Sequence, residues 1–395
     1  MDRQPFYRNT WVEIDLDAIA HNLVEMKKRM KKDTLLFAVV KANAYGHGAE
    51  EVAAIALEQG ADYLAVALLD EALQLRHSGI KAPILVLGPI RPEDVSIAAV
   101  YNITLTVFQK EWIARAKGYL TNQQVKIHIK LDTGMGRIGI RSKQEAFALV
   151  EELQQCSSFI IEGVFTHFAT ADSKDLTYFH QQVHTFKEMM SWFDEWGLSI
   201  PLVHVSNSAT SLRFPTFQFN GIRYGISMYG LSPSEEIKQE LPFELKPALS
   251  LHTKITHIKR MKKGERISYG GTYEAKEDDE WIATLPIGYA DGFIRKLSNS
   301  EVLVNGERAP IVGRICMDQM MIRLKNEVPL DTEVILIGQQ GKEKITADEI
   351  AERLDTINYE ITCMISARVP RVFVKNRQVH RVENALFSGF INDNE

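Results

Sequence analysis

The sequence predicts an α/β fold joined to a β fold: an N-terminal (β/α)8 barrel of the TIM type, followed by a mainly antiparallel β domain. Three observations predict it. From residue 34 to about 226, eight short apolar or β-branched runs alternate with stretches of helical spacing. Those runs are nearly continuous in apolar residues, as strands covered on both faces are. Beyond residue 240 the helical spacing gives way to short, closely spaced β-rich runs, the pattern of antiparallel strands.

The first run, 11–16 (WVEIDL), alternates Val12, Ile14 and Leu16 with Glu13 and Asp15, so it reads as a half-exposed strand. It precedes the barrel and is assigned to the C-terminal β domain. Asp17 is then expected to cap a helix reaching about Met30. The eight barrel runs are 34–41, 62–68, 83–88, 103–108, 124–132, 159–168, 202–207 and 219–226. After the first, 49–59 puts Val52, Ile55 and Ala56 on one helical face, with Gly60 as the stop. After the sixth, 174–195 spaces Phe179, Val183, Phe186 and Met190 at steps of three and four. The eighth helix has no clear segment.

Pro242 and Pro247 mark the change of domain. The β runs beyond are 248–258, 281–287, 301–304, 307–312, 319–324 and 333–337. Asn305-Gly306 between two of them is a two-residue hairpin signal. One helix is expected at about 346–356, starting at Thr346. The expected division is therefore 1–16 for the leading strand, 17–244 for the barrel and 245–395 for the β domain.

A chain of 395 residues suits two or three domains. Its 45% apolar and 25% charged residues are those of an ordinary globular protein. The net charge of −5 carries no basic footprint for nucleic acid, and the densest basic run, Lys27 to Lys32, reads as a solvated helix end. No stretch has the length and apolarity of a membrane span, and the start lacks a signal-peptide core. The three cysteines, Cys156, Cys316 and Cys363, are far apart and show no metal-ligand spacing. A cytoplasmic protein with no metal site is expected.

Functional groups of such a barrel lie at the C-terminal ends of its strands. There the sequence places Lys41, Asp132, His167, Asn207-Ser208, Arg223 and Gly225-Ile226. A lysine closing a buried strand is a candidate Schiff-base amine, because burial favours its neutral form; a buried lysine–carboxylate pair is the structural alternative. The serine hydroxyl and the backbone N–H groups after the seventh and eighth strands can donate to a phosphate. No GxGxxG or P-loop motif occurs. Aldimine lysine plus phosphate site points to pyridoxal 5′-phosphate (PLP).

The stretches AVVKANAYGHG, KLDTGMGRIG, HFATAD, HVSNSA, GIRYGISMYGL, ISYGGTY, GYADGF, GRICMDQMM and INYE, in this order, resemble the alanine racemase family over nearly the whole chain. The resemblance implies a PLP enzyme that interconverts L- and D-alanine, supplies D-alanine for peptidoglycan, and works as a homodimer with shared active sites. It implies that Lys41 holds PLP and is one base, and that Tyr269 of the partner subunit is the other. One base on each face is what removal and return of an α-proton requires. His167 and Arg137 would assist them. Arg223 would face the pyridine nitrogen; a donor-only, permanently charged group there leaves that nitrogen unprotonated and weakens the electron sink. Tyr45, Tyr359 and Ser208 would bind the phosphate. The Met317 backbone N–H, with Arg137, would meet the substrate carboxylate. Asp172, Arg295, Arg314 and Ile357 would line the entry corridor. Lys130 matches a lysine that is carbamylated in several members, giving an anion beside Arg137.

Two other functions fit part of this pattern. A racemase of broader scope, acting on serine, lysine or arginine, would use the same machinery. A PLP carrier built on the barrel alone would need neither the β domain nor ISYGGTY.

Overall fold

A computed structural model describes residues 6–387 of the chain. These fall into two compact units: Ala18–Pro247, and a second that joins the chain before Ala18 to the chain from Ala248 onward.

The first strand, β1, is Thr10–Asp15. The next eight are β2 (Leu35–Val39), β3 (Tyr63–Val66), β4 (Ile84–Val86), β5 (Ile103–Val107), β6 (Val125–Lys130), β7 (Phe159–Phe165), β8 (Leu202–Ser206) and β9 (Gly221–Tyr224). Each pairs in parallel with its neighbour, and β9 pairs back onto β2, which closes a barrel. All the residues of β3, β4, β5 and β9 are buried, which explains their unbroken apolar runs. Helices follow most strands: Ala49–Glu58, Leu69–His77, Val95–Val100, Lys110–Ala116, Lys143–Gln154, Thr177–Glu195 and Ser208–Arg213. In the long helix Thr177–Glu195, Phe179, Val183, Phe186 and Met189 are buried, the stripe that the spacing predicts with Met189 in place of Met190.

β9 is followed by two 3-10 turns, Ile226–Tyr229 and Lys238–Glu240, and by no α-helix before the next strand. The helix beside that segment comes from before the barrel. In Leu16–Lys27, the fully buried Asn22 donates to Met228 O (3.1 Å) and Lys246 O (2.9 Å) and accepts from Lys246 N (2.9 Å). Chain order hid this from sequence reasoning, because an eighth helix was sought after the eighth strand. Asp17 does not cap this helix as expected. The helix begins at Leu16, and the Asp17 carboxylate, inside its first turn, accepts from Asn376 N (2.6 Å).

The second unit contains β10 (Leu249–Lys254), β11 (His257–Met261), β12 (Arg266–Ile267), β13 (Tyr273–Glu274), β14 (Glu280–Leu285), β15 (Glu301–Val304), β16 (Glu307–Val312), β17 (Met320–Leu324), β18 (Glu333–Gln340), β19 (Glu343–Ile345), β20 (Arg371–Lys375) and β21 (Gln378–Glu383). One sheet runs β11-β14-β17-β16-β15-β18-β10-β1-β20-β21, with β19 on β18. Every pair in it is antiparallel except β1 with β20. The run 248–258, expected as one strand, is two. The chain breaks at Ile255-Thr256, so β10 pairs with β1 and β18 while β11 pairs with β14. Asn305 (φ 50°) and Gly306 (φ 80°) both take positive φ in the hairpin between β15 and β16, the requirement of a type I′ turn. Thr346 caps the helix Ala347–Leu354 by accepting from Glu349 N. The sequence reading passed over β20, β21 and the helix Asn358–Met364. Among the described residues no helix is long and apolar enough to cross a membrane.

Asn22→Ala would leave the buried Met228 carbonyl and the part-buried Lys246 carbonyl and N–H without their partner. It is expected to lower the unfolding free energy by about 3 kcal/mol, read as a shift of the urea midpoint at constant slope.

Candidate active site

Lys41 stands two residues beyond β2 and opens a turn of unusual hand. Ala42, Asn43, Ala44 and Tyr45 all have φ between 51° and 53°, and Gly46 (φ 86°) continues the run. Left-handed backbone costs a residue with a Cβ about 1–2 kcal/mol, so the turn needs outside support. The Glu71 carboxylate supplies it. One oxygen accepts from Ala42 N (2.6 Å); the other accepts from Ala67 N (2.7 Å) and Leu68 N (3.1 Å) after β3. Asn43 Oδ1 accepts from Ala49 N (2.7 Å), and Ala44 N donates to Val40 O (2.9 Å). The small residues after Lys41 are therefore in part a conformational need: Asn43 tolerates this region, and Ala42 and Ala44 bring nothing larger than a methyl into it.

The second group gathers at the ends of β8 and β9. Asn207 caps the helix Ser208–Arg213, its Oδ1 accepting from Thr210 N (2.9 Å). Ser208 Oγ accepts from Gly225 N (3.0 Å) and Ser227 N (3.5 Å), which leaves its own proton for an outside acceptor. A Cβ on Gly225 would lie 2.8 Å from the Tyr45 hydroxyl, so only glycine lets that backbone and Tyr45 meet. Ser227 Oγ is buried with no hydrogen-bond partner among the described residues. Tyr45, Ser208, Gly225 and Ser227 thus lie together, with Ile226 between the last two in the chain.

Arg223, on β9, is buried inside the barrel. Nη1 donates to His204 Nδ1 (2.7 Å) and His204 O (2.8 Å); Nη2 donates to Thr166 O (2.8 Å) and Val205 O (3.1 Å). A guanidinium has five N–H donors. Nε–H is the one with no protein acceptor among the described residues. Burial and then Arg137 push the Arg223 pKa down to about 9. Half-buried His167, two residues past β7, lies 3.4 Å from Arg223 Nη2 and 3.5 Å from Asn207 Nδ2. Burial, then Arg223, Arg137, Lys130 and Lys41, hold its pKa well below the usual value, so its imidazole is neutral. Lys130, the last residue of β6, is 3% exposed, donates to Leu131 O (2.6 Å) and lies over the Phe165 ring. Burial, Arg223 and Arg137 bring its amine down to about 7 against the pull of Asp132. Asp132 Oδ1 accepts from Gly134 N (3.1 Å) and Gly136 N (2.9 Å), shaping the loop that presents exposed Arg137. Arg223, Arg137, Lys130 and Lys41 thus all act on one neutral histidine, a rim suited to anions. Asp172 is half-buried beyond β7, and desolvation raises its carboxyl.

The remaining candidates belong to the β unit. Tyr269 opens the 3-10 turn Tyr269–Gly271 and is 71% exposed. Ser268 before it has φ 70°; its Oγ donates to Arg314 O (2.8 Å) and accepts from Arg314 N (2.8 Å). Tyr289 N donates to Cys316 O and Ala290 N to Met317 O, both 3.0 Å, and a Cβ on Gly288 would strike these carbonyls. Three of the motifs are thereby stitched into one set of loops. Asp291 underpins them, its buried carboxylate paired with Arg8 (2.7 and 2.9 Å). Tyr269 and Met317 line a single open cleft of about 600 Å³ with Ser268, Cys316, Asp318 and Gln319. Arg295 is exposed on the turn Arg295–Leu297; Ile357 is exposed before the helix Asn358–Met364, which carries half-buried Tyr359.

Sequence reasoning missed Glu71, His204, Ser227 and Asp291. His204 had a signal, a histidine inside the apolar run LVHVSN; the others sit among ordinary polar residues. Glu71→Ala is expected to remove amide-exchange protection at Ala42, Ala67 and Leu68 together and to cost about 2 kcal/mol of stability.

Comparison with known proteins identifies the family. Residues 14–233 match the family model described as alanine racemase, N-terminal domain, and residues 248–373 match alanine racemase, C-terminal domain. The chain is 54% identical over 384 residues to an alanine racemase of Anoxybacillus flavithermus, covering 96% of this chain and 99% of that one. It superposes with a TM-score of 0.95 on the crystal structure of alanine racemase from Bacillus anthracis with bound L-Ala-P, at 55% identity over 97% of this chain and 99% of that one. A histidine racemase from Leuconostoc mesenteroides has the same fold at a TM-score of 0.85 and 34% identity, over 94% of this chain and 100% of that one. With both family halves matched in order and near full length, the chain belongs to the alanine racemase family and is a racemase.

Proposed function

We propose that this racemase interconverts L-alanine and D-alanine with pyridoxal 5′-phosphate and two protein bases, Lys41 and Tyr269 of the partner subunit in a homodimer. Its D-alanine supplies peptidoglycan, and it works in the cytoplasm. The observation that carries the reading is the donor set of the barrel rim. It combines a lysine on a braced turn, the hydroxyls of Ser208 and Ser227 gathered at Gly225, and a buried arginine with one donor left over.

These residues fit PLP. Lys41 offers the amine. Ser208, Gly225, Ile226, Tyr45 and the orphaned Ser227 hydroxyl suit a phosphate, with Asn207 ordering the segment and Tyr359 added by family likeness. Arg223 Nε–H suits an unprotonated ring nitrogen, and His167 completes the wall beside it. The cofactor, when bound, supplies an electron sink that makes the substrate's α-proton removable.

The protein's part is to place a base on each face of that carbon. Lys41 takes or returns the proton on one side and Tyr269 on the other. The exposure of Tyr269 within its own chain supports a second copy completing its surroundings. Arg137 orients Tyr269 and, with the Met317 N–H, binds the substrate carboxylate. Asp172, Arg295, Arg314 and Ile357 line the approach and restrict it to small side chains.

In a panel of L-amino acids assayed for D-product, alanine is expected to react fastest, and Lys41→Ala and Tyr269→Phe to lose at least about 100-fold in kcat. Tyr269→Phe racemising both enantiomers at the wild-type rate would falsify the two-base scheme. The histidine racemase among its structural relatives makes a broader substrate range the second reading; faster turnover of histidine, serine, lysine or arginine than of alanine would establish it.

Lys130 is proposed to carry a carbamate, an anion that would hold Arg137. An amine with a pKa near 7 is half neutral at that pH, and only the neutral form attacks carbon dioxide. At fixed dissolved carbon dioxide, a carbon-13 carbamate resonance is expected to rise as pH passes upward through about 7 and to be absent in Lys130→Ala. A bare amine at every pH overturns the assignment.

A further inference from the structure

A file of buried polar side chains crosses the barrel from Arg223 toward the N-terminal ends of its strands. Arg223 Nη1 is 2.7 Å from His204 Nδ1, His204 Nε2 is 2.8 Å from His128 Nδ1, and His128 Nε2 is 3.2 Å from Glu162 Oε2. Tyr63, the first residue of β3, donates to the same Glu162 oxygen (2.6 Å), and Lys126, near the start of β6, donates to the other (2.6 Å).

This file is built by the fold. The β6–β7 register shifts so that Ile127 faces Ile161 while His128 faces Gly163, leaving Glu162 as the extra residue of a bulge. The β8–β9 register shifts in the same way at Val205, next to His204. Bulges re-aim side chains. A Cβ on Gly163 would come within 3.0 Å of the His128 ring, so the absent side chain is what admits it. The His204 ring is stacked between Phe37 (4.7 Å) and Phe165 (4.8 Å), which fixes its plane.

The proton pattern along the file is forced from both ends. A guanidinium only donates, so His204 Nδ1 must accept and Nε2 must carry hydrogen. His128 Nδ1 then accepts, and its Nε2–H points to Glu162. A carboxylate only accepts, and Tyr63 and Lys126 already donate to it. Burial alone would raise the Glu162 pKa, but hydrogen bonds from His128, Lys126 and Tyr63 hold it at about 2. Burial keeps His204 and His128 below their usual values, hence neutral. None of Arg223's hydrogen-bond partners among the described residues is a carboxylate.

We propose that Glu162 is a positioning residue for Arg223: through His128 and His204 it selects the one pair of imidazole tautomers that lets the guanidinium keep its place and leave Nε–H for the ring nitrogen of the cofactor. The role in catalysis rests on the PLP reading above; the tautomer claim does not. Without the carboxylate, His128 can carry its proton on Nδ1, His204 follows, and two N–H groups then oppose each other at Arg223.

The test is nitrogen-15 NMR of the histidine-labelled holoenzyme at neutral pH, with kcat and KM for alanine. In the wild type, His128 and His204 are expected as neutral Nε2–H tautomers. In Glu162→Gln both resonances should shift toward Nδ1–H, and kcat should fall about tenfold, within the hundredfold that an ångström of misplacement can cost, while KM stays within about twofold. Wild-type enzyme with either ring as Nδ1–H or imidazolium overturns the proposal, and this needs no variant to fold. So does Glu162→Gln with unmoved resonances or unchanged kcat. Failure of the cofactor reading would show separately, as wild-type protein without the visible absorbance of bound PLP.

Discussion

The barrel interior is organised around one buried guanidinium. None of Arg223's hydrogen-bond partners among the described residues is a carboxylate, and its charge is met by neutral acceptors: carbonyls from β8 and from the end of β7, and a neutral imidazole. That requirement propagates. It needs His204 in one tautomer, which needs His128 in one tautomer, which a distant carboxylate secures. It also makes the rim electropositive, because no described carboxylate bonds the guanidinium directly. Burial first, and then Arg223, keeps His167 neutral and brings the Lys130 amine to about 7. An anionic cofactor and a substrate carboxylate are the natural counterweights to such a rim.

The β unit solves the converse problem. There a buried carboxylate, Asp291, is satisfied by Arg8 and by Gly288 N, and Arg368 lies within 3.7 Å. Around it, the loop of Gly288 and Gly292 packs so tightly that added Cβ atoms would meet backbone carbonyls of the loops at Cys316-Met317 and Met364. Those loops hold Tyr269 and Met317 along one cleft. In both units a buried charge sets loop geometry, and the residues proposed for the chemistry hang from those loops.

Much of this was legible in the sequence. Eight runs lay within two or three residues of eight strands, because parallel strands buried on both faces write continuous apolar text. The Asn305-Gly306 turn was readable because both positions need positive φ. Lys41, Asp132 and His167 stood out as polar residues closing apolar runs, though the strands end two residues earlier in each case. The eighth helix was not legible, since it precedes the barrel in the chain. Nor was the left-handed turn at Ala42–Tyr45, because nothing local favours it; Glu71, 29 positions from Ala42, holds it in place.

By itself the sequence determined the periodicities, hence the barrel and the antiparallel domain, and the list of chemically capable residues near the strand ends. Periodicity is local, and burial imposes it residue by residue. Only the tertiary structure decided which of those residues share a proton pattern. Bulges at Glu162 and Val205, the space left by Gly163 and the stacked rings around His204 arise from pairing between distant segments. Hydrogen-bond direction depends on the partner at each end, and no partner in the file from Arg223 to Glu162 is near its neighbour in the chain.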